Sequence, residues 1–529
     1  MSIGIVAAIV TLDDITKGVN LMLILEMLFI GVVTSSILFL YGLALYNIYL
    51  ILVYRACRGS NLKPMVFYAS DELPNVTIQL PVHNEGNFAS QILTLAAGLD
   101  YPNDKMQIQY IDDADDGYTS ALAMETITDL ELKYPAIDFQ LLRRENRDGF
   151  KAGALAHASK SSSGEFVAIF DADFVIPKNF LKETIHHFRN KDVGAVQARW
   201  DYVNCDDKIF TRLQANKLDA HQMFEQTGRA CIGKPVIFHG TAGVWRASTL
   251  DEIGGWQSCL TEVEDIELSI KAYSSGWKFV YLDHLRVKSE LPETVSGFLT
   301  QQMRWRRGGG RVVRLLTTEI LRGRIDWKIK LDLLLRVQGA WGPVAALLMT
   351  IAVLPYISVL GKYGLILPAV FLYSFGLVVA FVTRHLEGKS LSEDPLARPH
   401  LPIHPMVRFL PLNYLLFTMG TLWPLVQATV EGLLGGARQW EVTPKKGSSS
   451  KLDEPSASKG DYRLLPSYTY GTLFLAFLGL ILAIISFIVW NPLACLFYGM
   501  MSAGCMYIGL NMLWENGYRF GILNKFMIQ

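Results

Sequence analysis

The sequence predicts an α/β domain of Rossmann-like design, a parallel sheet with helices on both faces, joined to an α-helical multi-pass transmembrane region. Three observations predict it. Hydrophobic residues make up 51% of the 529-residue chain and mean hydropathy is +0.25, with the excess at the N-terminus and in the last third. A polar middle of roughly 280 residues remains, ample for one domain with its own core. That middle alternates strand-like and helix-like segments with short links, while uncharged runs on either side are long enough to cross a bilayer.

Formal net charge is zero, so no nucleic-acid partner is expected. The six cysteines, Cys57, Cys205, Cys231, Cys259, Cys495 and Cys505, show no paired short spacing. They point to neither a zinc site nor a disulfide framework, and fit a reducing compartment for the middle domain.

In chain order, residues 1–20 carry a short apolar stretch without a preceding basic region, so no cleaved signal peptide is expected. Leu28–Tyr54 carries no charge and is long enough to span. Arg55, Arg58 and Lys63 follow it, with Asp13 and Asp14 on its other side. The positive-inside rule then places the N-terminus outside and residue 60 onward in the cytoplasm. In the middle, Val76–Leu80, Gln107–Ile111, Phe139–Leu142, Phe166–Phe170 and Val193–Ala198 read as strands. Phe88–Gly98, Ser120–Lys133 and Lys178–Arg189 read as helices between them. Val295–Leu316 and Trp327–Arg336 read as helices at the membrane surface. Ala340–Leu360, Gly364–Val382, Tyr470–Trp490 and Pro492–Trp514 read as further spans. Phe409–Leu434 is apolar but interrupted by Pro411, Asn413, Pro424 and Glu431. If it crossed, the lysine-bearing loop after it would lie outside, against the charge rule. Lying in the interface, it leaves about five spans in total.

Five constellations can carry chemistry. Phe166–Phe170 is a buried strand, and Asp171 and Asp173 follow at its tip. In an extended segment their side chains point the same way, at the carboxyl edge where open α/β sheets bind ligands. Such a pair suits a divalent cation carrying a diphosphate, although alone it is equally a solvated turn. Asp112 and Asp113 end another strand and can bond a nucleotide's base or ribose. Lys151, within Phe150–Leu155 and preceded by Arg143, Arg144 and Arg147, can meet a phosphate; ordinary helix packing is the alternative. His239–Arg246 has glycines that permit close ligand approach, or simply a turn. In Val263–Leu268, Glu264 and Asp265 open a helix. There a carboxylate can take a proton from an attacking hydroxyl, or the acids merely complement the helix dipole. Gln301, Arg304 and Trp305 offer an amide, a guanidinium and an aromatic face that suit a sugar and a departing diphosphate.

An acid pair, then Asp-x-Asp, then Glu-Asp, then Gln-x-x-Arg-Trp resembles the processive, membrane-embedded family 2 glycosyltransferases. Phe150–Leu155, Gly240–Arg246 and Val263–Asp265 resemble the cellulose-synthase-like subgroup that makes mannan, glucomannan or glucan backbones. The resemblance runs from about Pro74 to Lys446 and implies a GT-A fold. It implies that Asp112, Asp113, Lys151 and Asp171 bind the nucleotide sugar, and that Asp171 and Asp173 hold Mg²⁺ or Mn²⁺. Asp265, beside Glu264, would be the catalytic base. Gln301, Arg304 and Trp305 would bind the acceptor and diphosphate. Trp440, Val442, Thr443 and Lys445 resemble a gating loop that closes over the donor. Val263 stands where cellulose synthases usually have threonine, which leans toward the mannan-like subgroup, and Trp440 stands where phenylalanine is usual.

The implied donor is GDP-mannose or UDP-glucose, the acceptor a growing polysaccharide, and the setting a lipid bilayer of the plasma membrane or, in a eukaryote, the Golgi. Assembly into a homo-oligomer is left open. The expected division is an N-terminal segment with one span (1–56), a cytoplasmic glycosyltransferase domain (74–290) and interfacial helices (291–336). Spans with an interfacial segment (337–434), the gating-like loop (435–466) and C-terminal spans (467–529) follow. The expected reaction is an inverting, metal-dependent transfer, with a non-processive enzyme adding one sugar to a lipid as the alternative.

Overall fold

The computed structural model describes residues 2–57, 66–205, 207–256, 259–323, 325–359, 410–435 and 466–515. Seven strands form one sheet: β1 (Val76–Val82), β2 (Met106–Asp112), β3 (Asp138–Arg143), β4 (Phe166–Ile169), β5 (Val193–Tyr202), β6 (Gly243–Arg246) and β7 (Lys278–Ser289). Their order is β3-β2-β1-β4-β6-β5-β7. Apolar runs made β1, β2 and β4 legible, since these strands are buried on both faces. The polar residues among them are paired. Thr77 donates to Gln107 Oε1 at 2.8 Å and Gln79 to Gln109 Oε1 at 3.0 Å, a side-chain ladder across β1 and β2.

The sheet is mixed, which corrects the expected all-parallel arrangement. β6 runs antiparallel to both β4 and β5. Its four residues were read as part of a glycine-bearing turn, and the strand needs that glycine. A Cβ on Gly243 would lie 2.5 Å from the Phe238 ring and 2.7 Å from the Val196 carbonyl. β7 was also missed, because its charged residues obscure the alternation.

Besides two short helices, Phe180–Thr184 and Ala247–Glu252, the described helices are α1 (Ser2–Cys57), α2 (Phe88–Ala97), α3 (Tyr118–Lys133), α4 (Phe150–Ser159), α5 (Ile209–Asp219), α6 (Gly228–Cys231), α7 (Glu264–Ser274), α8 (Val295–Arg322), α9 (Trp327–Gln338), α10 (Gly342–Val359), α11 (Leu410–Gly420), α12 (Leu422–Leu434), α13 (Pro466–Ile488) and α14 (Pro492–Glu515). Between α5 and α6 the chain runs as a π-helix over Ala220–Thr227, a rare form that often marks functional sites. Thr294 caps α8 by accepting from the Gly297 N–H at 3.1 Å.

Among the described residues, four helical stretches are long and apolar enough to cross a membrane: Ile30–Cys57, Trp327–Ile351, Pro466–Ile488 and Ala494–Glu515. The second begins at Trp327, so the segment read as a surface helix leads directly into the span read after it. Within Phe409–Leu434, helices α11 and α12 meet at Thr421, and neither is among these four stretches. The span read at Gly364–Val382 and the gating residues Trp440, Val442, Thr443 and Lys445 lie outside the described residues.

One expectation from the cysteines fails. Cys57 and Cys231 form a disulfide across a sequence separation of 174 residues. Short-spacing arguments cannot detect a pair that only the fold brings together. Beside it, Tyr46 of α1 donates to Asp332 at 3.1 Å, and Asp332 also receives Arg229 and Lys234. The first apolar helix is therefore fastened to the α6 and α9 region by a covalent bond and a buried charge cluster.

Candidate active site

The tips of β1, β4, β5 and β7 and the loops after β2 and before β6 surround a cleft of about 170 Å³. It lies at the carboxyl edge of the parallel strands, as expected for an open α/β sheet.

Asp113 lines this cleft, and Arg144 grips it bidentately at 2.8 and 2.5 Å. Asp112 does not line it. Its carboxylate is buried and accepts from the Ala114 N–H at 3.1 Å and the Ser120 hydroxyl at 2.6 Å. Of the two neighbours, Asp112 supports the turn and Asp113 faces the ligand space. Gly153 also serves the scaffold, since a Cβ there would sit 1.9 Å from the Asp148 carbonyl.

Asp171 and Asp173 both line the cleft beyond β4. The Asp171 N–H donates to the Thr241 hydroxyl at 2.8 Å, which fixes the strand tip. Lys151, from α4, pairs with the Asp171 carboxylate and donates to the Gly240 carbonyl at 3.0 Å. Burial pushes the Lys151 ammonium down, but Asp171, Glu264 and Asp265 outweigh it and hold the group above the usual lysine range.

Glu264 and Asp265 open α7 and face the same cleft. Burial, then the Asp265 charge, pushes Glu264 up to about 7, and burial also raises Asp265. Asp265 accepts from the Ile266 N–H at 2.9 Å. Glu267, the third acid of that turn, is structural. It accepts from the Leu260 and Thr261 N–H groups and from Lys271.

Gln301, Arg304 and Trp305 share one face of α8, as i, i+3 and i+4 spacing requires, and all three line the cleft. Gln302 faces elsewhere and accepts from Lys217 at 2.8 Å. Arg304 lies in the field of Glu264, Asp171 and Asp265, while burial lowers its pKa.

Trp200 and Tyr202, which no constellation in the sequence includes, also line the cleft, as does His239 at the start of the glycine-bearing segment. The signal for the first two was available: β5 continues four residues beyond the predicted end. Burial keeps the His239 ring neutral, its pKa well below the usual value.

Asp171 and Asp173 offer hard oxygen donors of the kind Mg²⁺ or Mn²⁺ takes. Among the described residues no three or more His, Cys, Asp or Glu side chains gather to hold a metal unaided. The pair therefore fits an ion that completes its shell with diphosphate oxygens and water.

Residues 74–308 match the family model described as Glycosyltransferase like family 2. Over 391 residues, 73% of this chain and 72% of the relative, the chain is 34% identical to glucomannan 4-beta-mannosyltransferase 1 from Oryza sativa subsp. japonica. The chain belongs to the family 2 glycosyltransferases. A second relative of this cellulose-synthase-like kind is probable glucomannan 4-beta-mannosyltransferase 9 from the same plant. It is 32% identical over 406 residues, covering 76% of this chain and 74% of that one. Among solved structures, the mannosyltransferase PcManGT from Pyrobaculum calidifontis, in complex with GDP-Man and Mn²⁺, shares 18% identity at a TM-score of 0.49. The match covers 76% of this chain and 99% of that one. The mixed sheet described above is the GT-A sheet of this glycosyltransferase family.

Proposed function

We propose that this glycosyltransferase polymerises hexose units from a nucleotide sugar into a β-1,4-linked polysaccharide, by inverting transfer. GDP-mannose is the donor favoured by the relatives' names, with UDP-glucose as the second candidate. The observation that carries the reading is the convergence of Asp265, the Lys151–Asp171 pair and the Gln301–Arg304–Trp305 face on one cleft.

Asp265 is the base. As the acceptor oxygen bonds to the sugar's anomeric carbon, the bond to the diphosphate breaks on the opposite face and the hydroxyl proton passes to Asp265. One displacement of this kind turns an α-linked donor into a β-linked product. Arg304 offers a permanent charge for the departing diphosphate, and Lys151 holds Asp171 in place. Asp113, fixed by Arg144, takes the nucleotide end. A divalent ion bound at Asp171 and Asp173 would neutralise the leaving group.

The acceptor is the growing chain itself, and the apolar helices carry the product across a membrane. Which side bears the cleft is read two ways: charge around the first span favours the cytoplasm, whereas the Cys57–Cys231 disulfide favours an oxidising compartment.

The decisive experiment incubates the purified chain with a panel of nucleotide sugars and digests the product with linkage-specific hydrolases. A polymer cut by a β-1,4-mannanase or glucanase supports the reading. A single sugar on a lipid, seen by size exclusion, would replace it with the non-processive alternative.

A further inference from the structure

The strand order divides the cleft. β4, bearing Asp171 and Asp173 beyond its tip, is central, with β1 and β2 to one side and β6, β5 and β7 to the other. The β1–β2 side contributes His83 and Asp113, polar groups suited to a nucleotide. The β5 side contributes Trp200 and Tyr202, two residues apart on one strand and so on one face of it. Asp265 belongs to this second side. Its Oδ2 lies 3.5 Å from the position a Cβ would take on Gly240, and the adjacent His239 packs against Trp200.

Trp200 is held by ring edges. Phe174 meets it at 5.4 Å between centroids and 66°, and His239 at 5.5 Å and 74°, the tilted geometry that aromatic pairs favour. The Trp200 Nε1–H is shielded from solvent and has no hydrogen-bond partner among the described residues, a costly state for a buried donor. The side chain therefore offers a fixed aromatic surface, with its Nε1–H turned away from the open cleft, on the side that carries the base.

A pyranose ring has the matching chemistry, with C–H bonds on its faces and hydroxyls at its rim. We propose that Trp200 binds the acceptor saccharide together with Trp305, its indole stacking on a pyranose face. This rests on the transferase reading above and adds a residue to its acceptor side. Asp113, assigned above to the nucleotide end, lies on the other side of β4 from Trp200.

The test uses the purified full chain, β-1,4-linked manno- and cello-tetraose as acceptors, and the Trp200→Ala and Trp200→Phe variants. Tetrasaccharide binding is measured by calorimetry without donor. Acceptor KM, kcat and acceptor-independent hydrolysis of GDP-mannose or UDP-glucose are measured separately. Trp200→Ala should weaken tetrasaccharide binding and raise acceptor KM about tenfold, leaving donor hydrolysis within about twofold of wild type. Trp200→Phe keeps a flat ring of smaller area and should fall between the two. That variant preserves the packing on Phe174 and His239, so it decides the matter if Trp200→Ala folds poorly. Wild-type tetrasaccharide affinity in both variants would overturn the proposal, as would an equal loss of donor hydrolysis. If wild type binds the tetrasaccharide but uses no donor, the transferase reading fails while the Trp200 site stands on its calorimetry.

Discussion

Lys151 bridges Asp171 and the Gly240 carbonyl, so a single ammonium ties the tip of β4 to the turn that leads into β6. Both line the cleft. Replacing it by methionine keeps the stem but removes the tie. Asp171 then lies beside Asp265 and Glu264 without its counter-charge, and transfer should fall by about a hundredfold or more. Stability should change little, because the Asp171 side chain is a third exposed and solvent screens the pair. A Lys151→Met variant with near-normal turnover at saturating donor would remove Lys151 from the site.

Glu264 and Asp265 make activity and stability respond oppositely to pH. Burial, then the Asp265 charge, holds Glu264 near 7, and burial raises Asp265, so the base is ionised only as the pair loses protons. Transfer should climb with pH and level off above about 7, with apparent constants belonging to the pair. Glu264→Gln removes the neighbouring charge and should move the acid limb to lower pH. Asp265→Asn should abolish transfer at every pH. The folded state binds the Glu264 proton more tightly than the unfolded chain does. The stability contribution therefore falls as pH rises from about 4.5 to about 7 and is flat beyond. A pH–rate profile unmoved by Glu264→Gln would exclude the pairing.

Much of this site was legible because its spacings are short and periodic. Gln301, Arg304 and Trp305 meet the cleft because a helix returns to one face at three and four residues. Asp171 and Asp173 follow an apolar strand whose end is plain. Asp112 shows the limit of such reasoning. Neighbours on a strand point to opposite faces, so only one of Asp112 and Asp113 meets the ligand space, and spacing does not say which. Trp200 and Tyr202 were missed because β5 passes from apolar to mixed residues after Ala198. The Cys57–Cys231 bond depends on packing between elements far apart in sequence, which no local pattern encodes.

Asp173 tests the metal reading. It is buried and neutralising it keeps its shape, so Asp173→Asn should fold with little change in melting temperature. Wild type should bind GDP or UDP more tightly when Mn²⁺ or Mg²⁺ is added, by about tenfold or more in affinity. Asp173→Asn should lose that gain while its metal-free affinity is unchanged. Calorimetry with and without the ion measures both. Equal enhancement in the variant would place the ion elsewhere.

The disulfide makes a prediction about compartment and one about packing. In protein isolated from its native membrane with thiols blocked at once, Cys57 and Cys231 should resist alkylation until a reductant is added. Recovery of both as free thiols would favour the cytoplasmic placement read from charge. The bond closes a long loop, so Cys57→Ser and Cys231→Ser should each lower thermal stability by a similar amount. Adding both changes should cost no more than either alone, because one bond is lost in all three variants.

Gly308 controls the acid pair from behind. It lies on α8 against Val263, the residue immediately before Glu264, and a Cβ at 308 would come 2.7 and 2.8 Å from the two Val263 methyl groups. Val263 is buried among Val312, Val313 and Leu316, so it cannot turn aside without disturbing that cluster. Gly308→Ala should therefore overpack the contact, at about 1–3 kcal/mol of stability, and shift the start of α7. Displacement of a base by about 1 Å can cost a hundredfold in rate, so turnover should suffer more than folding. Val263→Ala alone leaves a cavity behind Glu264. The methyl added at 308 enters the space that the two lost Val263 methyls vacate, so the double variant should recover much of both losses. Melting temperatures and transfer rates for the four proteins give the coupling. If the two effects simply add, Gly308 and Val263 do not act through the contact described, and the position of the base is set elsewhere.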